Sequence, residues 1–232
     1  MFVTIRRYQG KPGQTQETVS RVKAGLLPIL TRQPGFASYT AVDAGSDVAV
    51  SVSTYENRAA ADAANQAAAS WVQSNLGDIV GQAEVILGEA LVAATAEDRN
   101  VELVRSVYDA FARGDIPGVL ANFDDQITWQ TPGPPELPLA GTRRGIAQIA
   151  QFFQLLSDLV DITRFEPRQF IARGDQVIVI GDDTARVKAT GRSLEFRWTH
   201  VSTLRAGKIV AFEEFSDMTA LVAELKSTQA HL

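Results

Sequence analysis

Between Gln176 and Phe215, three strand-like runs are separated by two short turns, Ala189-Thr190-Gly191 and Arg205-Ala206-Gly207, which restricts this segment to an antiparallel meander. A three-residue loop ending in glycine is a type I turn closed by a G1 bulge, with the glycine supplying the positive φ. Closing Lys188 on Arg192 sets Asp182 opposite Trp198 and Ile180 opposite His200. Closing Leu204 on Lys208 sets Trp198 opposite Glu214 and His200 opposite Phe212. Side chains alternate across a sheet, so these residues share one face with Thr184, Phe196 and Val210. Acids, an imidazole and large apolar groups on one face suit a buried pocket better than a solvated surface. A two-residue loop at Ala206-Gly207 instead puts Glu213 opposite His200, so one residue of register decides between the two glutamates.

The 232 residues, 45% of them apolar, give room for one large or two small globular domains. The chain contains no cysteine, which excludes disulfides, thiolate zinc sites and cysteine nucleophiles and fits a reducing cytoplasm. Met1 to Tyr8 reads as an alternating strand rather than a leader, and no apolar run reaches membrane-spanning length, so no membrane association is expected. The net charge of −5, with Lys and Arg scattered among the acids, opposes binding to a phosphate backbone, and nucleic acid is not an expected partner.

A composition break at Ala93 to Asn100 reads as a linker, dividing the chain into domains 1–95 and 96–232 with a new helical pattern starting at Val101. Before it, strands are expected at Phe2–Tyr8, Phe36–Val42, Val48–Tyr55 and Glu84–Val92, with helices over Thr15–Gln33 and Arg58–Ser74. The order β-α-β-β-α-β is the split βαβ arrangement of a ferredoxin-like sheet, with helices on one face and an open face that suits a homodimer. The order, the length and phrases such as Val48 to Glu56 resemble the antibiotic-biosynthesis monooxygenase family of dimeric α/β barrels. Some members oxidise polyketide aromatics without a cofactor, using an asparagine and a tryptophan about one turn apart. Here Asn65 and Trp71 lie six positions and about 120° apart on the helix, so Trp71 is expected to pack and Asn65 to be solvated.

In the second domain, Val101, Val104, Tyr108 and Phe111 mark one helical face, and a short helix carries Val119, Leu120 and Phe123. Ile127–Gln130 enters a strand, the proline-rich loop Thr131 to Pro138 suits the rim of a cavity, and Gly145–Leu156 forms a third helix with Phe152 and Phe153. Four strands between Arg164 and Phe215 complete a curved antiparallel sheet, so the fold class is α+β throughout. Arg143 and Arg144 read as solvated charges at a helix start, and His231 as tail.

Arg113-Gly114-Asp115, Trp129, Leu139 to Gly145 and Gly207 to Val210 resemble the SnoaL-like branch of the NTF2-like cone fold. That resemblance implies a histidine and an acid on the last two strands, matched here by His200 and Glu214, as in the family's polyketide cyclases. Ketosteroid isomerases of the same fold place an aspartate where Thr131 stands and a tyrosine where Val107 stands, which disfavours steroid isomerisation. The expected catalytic set is therefore His200, Glu214 and Asp182, and the expected walls of the pocket are Tyr108, Trp129, Phe152, Phe196, Trp198 and Phe212. Glu214 or Asp182 serves as the base for a proton next to a carbonyl, while His200, protonated by its acidic neighbours, donates to the enolate oxygen. Such a reaction needs no cofactor, and one imidazole with scattered carboxylates is no metal-ligand pattern. The alternatives are a satisfied polar network in a ligand-binding or assembly protein, or a hydrolase or cofactor-free monooxygenase using one of the two domains. In each case the ligand is a small apolar molecule.

Overall fold

The computed structural model describes residues 1–229, which leaves His231 outside the described residues. The chain divides into two compact units, Met1–Ala93 and Ala94–Leu232.

In the first unit, β1 (Phe2–Gln9) is followed by α1 (Thr15–Arg21), a π-helical segment (Val22–Leu26) and α2 (Leu27–Thr31). The single helix expected over Thr15–Gln33 is thus broken in register at its middle. The rest of the unit is β2 (Phe36–Asp43), β3 (Val48–Tyr55), α3 (Arg58–Asn75) and β4 (Glu84–Glu89). Asn57 caps α3 by accepting the Ala60 N–H at 2.9 Å. The sheet runs β2-β3-β1-β4 with β1 antiparallel to both neighbours, which is the split βαβ order. Its last strand stops three residues early, and Leu91 and Val92 are almost fully exposed. Leu26, Leu30, Tyr55 and the buried alanines of α3 fill the space between helices and sheet. The opposite face stays open: Ile5 pairs with Val52 and Ile86, and Ile86 is 66% exposed.

The second unit opens with α4 (Ala96–Ala112), which starts five residues before the expected Val101. A capping box explains the difference, because Thr95 accepts the Asp98 N–H while Asp98 accepts the Thr95 N–H. Next come α5 (Ile116–Leu120), β5 (Phe123–Thr131), β6 (Gly141–Arg144) and α6 (Gly145–Leu159). Phe123 opens β5 rather than closing the short helix. Strands β7 (Val160–Arg173), β8 (Gln176–Val187), β9 (Ser193–Arg205) and β10 (Lys208–Ser216) form the meander, and α7 (Thr219–Gln229) follows. The six strands are ordered β6-β5-β10-β9-β8-β7, with only the β10–β5 pair parallel among them.

Register in the meander departs from expectation twice. Val187 and Arg192 close the β8–β9 hairpin around a four-residue loop, so Gly181 rather than Asp182 faces Trp198, and Asp183 faces Phe196. Between β9 and β10 the loop is two residues long, Ala206 and Gly207, both at positive φ as a type I′ turn requires. That loop alone would turn Glu213 inward. A bulge between Ile209 and Ala211 then adds one residue to β10, and Glu214 comes to lie opposite His200.

Candidate active site

The inner face of the second sheet, α4, α6 and α7 enclose a cavity of about 120 Å³. Tyr108, Trp129, Phe152, Phe196, Trp198, His200, Phe212 and Glu214 all line it, as the sequence suggested. Asp182 does not. It lies on the outer face, where it forms ion pairs with Arg164 and Arg168. Ile180, Thr184 and Val210 also lie outside the cavity wall. Asp183 takes the inward place, a consequence of the one-residue difference in register.

Aromatic rings set the shape of the pocket. Phe165, Trp198 and His200 stack in sequence, with centroids 5.2 Å and 4.1 Å apart, and Trp129 stacks on Phe212 at 3.8 Å. Gly181 makes room for Trp198, since a Cβ at that position would fall 2.3 Å from the indole ring and 2.6 Å from the Glu166 carbonyl oxygen. Arg143 is not a free surface charge. It donates to the Leu139 and Pro138 carbonyls and covers the Phe152 ring at 4.8 Å, holding the proline-rich loop against the cavity rim. Arg144 is exposed, as expected.

The polar groups converge from four strands and one helix. Trp129 Nε1 donates to Thr131 Oγ1 at 3.1 Å, and Thr131 donates onward to Glu214 Oε2 at 3.5 Å. Burial raises the Glu214 carboxyl to about 7, and the nearby Asp183 charge pushes the same way against the Thr131 hydrogen bond. Burial likewise raises Asp183 to about 6. The Trp198 indole N–H has no hydrogen bond of normal geometry, yet it lies close enough to Asp183 to pull that value partway back. The two carboxyls titrate as a coupled pair near neutrality.

His200 behaves opposite to expectation. Its imidazole is enclosed by rings, and burial lowers its pKa to about 3, so it is neutral rather than protonated by its acidic neighbours. Its Nδ1 lies 2.9 Å from the Tyr108 hydroxyl, whose own pKa is raised by burial and by Glu214. Whichever of the two donates, the pair keeps one further N–H or O–H to offer, and it carries no charge.

Sequence reasoning missed Asp183, Phe165 and the hydrogen-bonding role of Thr131. Among the described residues, no group of three or more His, Cys, Asp or Glu side chains could hold a metal ion.

Residues 104–212 match the family model of the SnoaL-like domain, and residues 1–70 match that of the antibiotic biosynthesis monooxygenase domain. An NTF2-like protein from Burkholderia xenovorans LB400 is 38% identical over 56% of this chain and 98% of its own, with a TM-score of 0.51. The chain belongs to the NTF2-like family. The assignment rests on the second unit, where this NTF2-like chain carries its aromatic cavity. Two further solved structures are similar to it. An NTF2-like protein of unknown function from Burkholderia pseudomallei K96243 is 29% identical over 54% of this chain and 95% of its own, with a TM-score of 0.50. TerC, co-crystallised with polyporic acid, is 30% identical over 53% of this chain and 95% of its own, also with a TM-score of 0.50. No curated protein matches the chain.

Proposed function

We propose that the second unit is a cofactor-independent isomerase or cyclase that moves a proton next to a carbonyl on a small apolar, polyketide-like substrate. One observation carries this reading: two carboxyls that hold a proton near neutrality line the same apolar cavity as an uncharged imidazole–phenol pair. Ionised Glu214 takes the α-proton, the C–H electron pair becomes the C=C bond of the enolate, and the carbonyl electrons move to oxygen. The His200–Tyr108 pair donates a hydrogen bond to that oxygen as charge develops. The proton held by the carboxyl pair then returns to a second carbon, or the enolate carbon attacks a second carbonyl of the same substrate, whose C=O π pair moves to oxygen and takes up that proton as the ring closes. A neutral donor suits this role, since it stabilises the oxyanion without first forming a salt bridge to Glu214.

The cavity is close in size to the ~150 Å³ space that accommodates one benzene. A single ring is therefore the scale of occupant that the cavity suits. The co-crystallisation of TerC with polyporic acid supports a small organic occupant for the corresponding unit. The test is α-proton exchange in deuterium oxide, followed by NMR on single-ring ketones such as phenylacetone and 1-indanone. The proposed chemistry predicts exchange above the buffer rate. Binding of these ketones without exchange would favour a noncatalytic ligand-binding protein.

We propose as well that two copies pair through the open face of the first sheet, where Val42 and Ile86 are 48% and 66% exposed. Sedimentation equilibrium should return the mass of two chains, and the mass of one chain would remove this reading.

A further inference from the structure

The first unit encloses a second cavity, of about 410 Å³, between its sheet and the α1-to-α2 segment. That volume falls within the usual range for small-molecule sites, roughly 300–1,000 Å³. Its walls are mainly apolar, with Val19, Val22, Leu26 and Leu76 facing the phenols of Tyr8 and Tyr39. Arg6 also lines it and is only 3% exposed. A buried guanidinium without a counter-charge is costly, and natural proteins rarely leave one unpaired. Yet the partners of Arg6 are neutral. One arm donates to Ser53 Oγ at 2.7 Å and the other to Asn65 Oδ1, and no ion pair to Arg6 is found among the described residues. Three of its five N–H groups have no partner in these bonds.

Asn65, expected to be solvated, is instead half-buried and spends its side-chain carbonyl on holding this arginine. Of the acids along the wall, Asp43 is exposed, and Asp47 is half-buried and accepts the Gly13 N–H. Lys11 and Lys23 line the same cavity, so its lining cations outnumber its lining acids. The π-helical segment forms part of the wall through Val22, Lys23 and Leu26, and such segments recur at functional sites. It is held in place from behind. Gly25 packs so close to Trp71 that a Cβ there would fall 2.5 Å from the ring.

We infer that this cavity is a binding site for a small aromatic acid, with the carboxylate received by Arg6 and the ring held among the apolar side chains and the two phenols. The ligand supplies the negative charge that the protein withholds, and the planar guanidinium can take a carboxylate on two parallel N–H groups. Ser53 and Asn65 hold the fork in place before binding.

The test is calorimetric titration of the full chain with 2-naphthoate and with its neutral counterpart, 2-naphthamide. Wild type is expected to bind the acid at least about tenfold more tightly than the amide. Arg6→Gln should bring the two affinities together, while Glu214→Gln, which changes only the other cavity, should leave the preference intact. Equal affinities in wild type, no binding of the acid, or a preference that survives Arg6→Gln would each overturn the inference. If Arg6→Gln does not fold, Ala41→Phe provides the second test, because Ala41 lines the cavity in register with Ser51 and Arg6. Loss of naphthoate binding in that variant is the expected result, and retained binding would contradict it.

Discussion

Glu214→Gln should lower α-proton exchange by about 10²–10⁴-fold, the usual contribution of a positioned general base, while making the protein more stable at pH 8. Both effects have one origin. The Glu214 carboxyl is raised from its ordinary value to about 7 because burial opposes its charged form. The folded state therefore holds this proton more tightly than the unfolded state does. Stability is lost as pH rises from about 4.5 to 7, and the ionised carboxylate costs on the order of 3 kcal/mol above that window. Glutamine keeps an acceptor for Thr131 and never ionises. Urea unfolding should thus show the variant ahead of wild type at pH 8 and nearly level with it at pH 4. If exchange persists in the variant, Glu214 is not the base. If the gain at pH 8 is absent, its carboxyl is not desolvated.

A second large effect, of opposite sign, belongs to His200. Its pKa falls from 6.5 to about 3 on folding, so the unfolded chain takes up this proton first as the solution is acidified. The stability tied to the neutral imidazole is complete above 6.5 and lost as pH falls toward 3, a contribution on the order of 4 kcal/mol. The groups packed around the ring are Tyr108, Trp198, Phe212 and, across the strand pair, Glu214. Of these, Glu214 carries a competing titration, and Asp183 adds to it. Between pH 4.5 and 6.5 the carboxyls favour the folded state on acidification while the imidazole opposes it. His200→Gln should remove only the opposing part, leaving a chain that gains stability on acidification more steeply than wild type. In the native protein, the imidazole Cε1 proton of His200 should hold a constant shift from pH 8 to 5, with a His231→Gln variant separating the two imidazoles. A midpoint near 6.5 would mean that His200 is solvated and that the neutral donor is absent.

The α+β class, the strand order of the first unit and the aromatic wall of the second were all legible in the sequence, because apolar periodicity and glycine turns act locally. Parity across the hairpins was not, since a turn one residue longer or shorter looks nearly identical in sequence. Strand β8 nonetheless carried a usable signal. Its odd positions end in Ala185 and Val187, while the even row ends in Arg186 with Lys188 just past the strand, which turns the odd row, and so Asp183, toward the core. The charge state of His200 was illegible for a different reason. Its acidic neighbours are visible in sequence, whereas the desolvation that outweighs them depends on how closely Tyr108, Trp198 and Phe212 enclose the ring. Likewise, nothing in the strand pattern of Phe2–Tyr8 singles out Arg6, whose burial and whose bond to Asn65 arise only from packing.

The two-residue turn and the bulge around Val210 act on β10 like a frameshift and its suppressor. Either change alone moves every later side chain to the opposite face, and together they restore the original frame four residues downstream. The strand they control reads Phe212-Glu213-Glu214-Phe215, the same in both directions. Deleting Val210 would remove the bulge and leave Glu214 opposite His200, whereas smoothing the bulge with Val210 retained would turn the other face inward. Even then the inner face would not lack a carboxylate and a ring, because Glu213 would take the place opposite His200 and Phe215 the place beside it. The palindrome gives this strand a second, latent reading, and loss of the bulge is enough to select it.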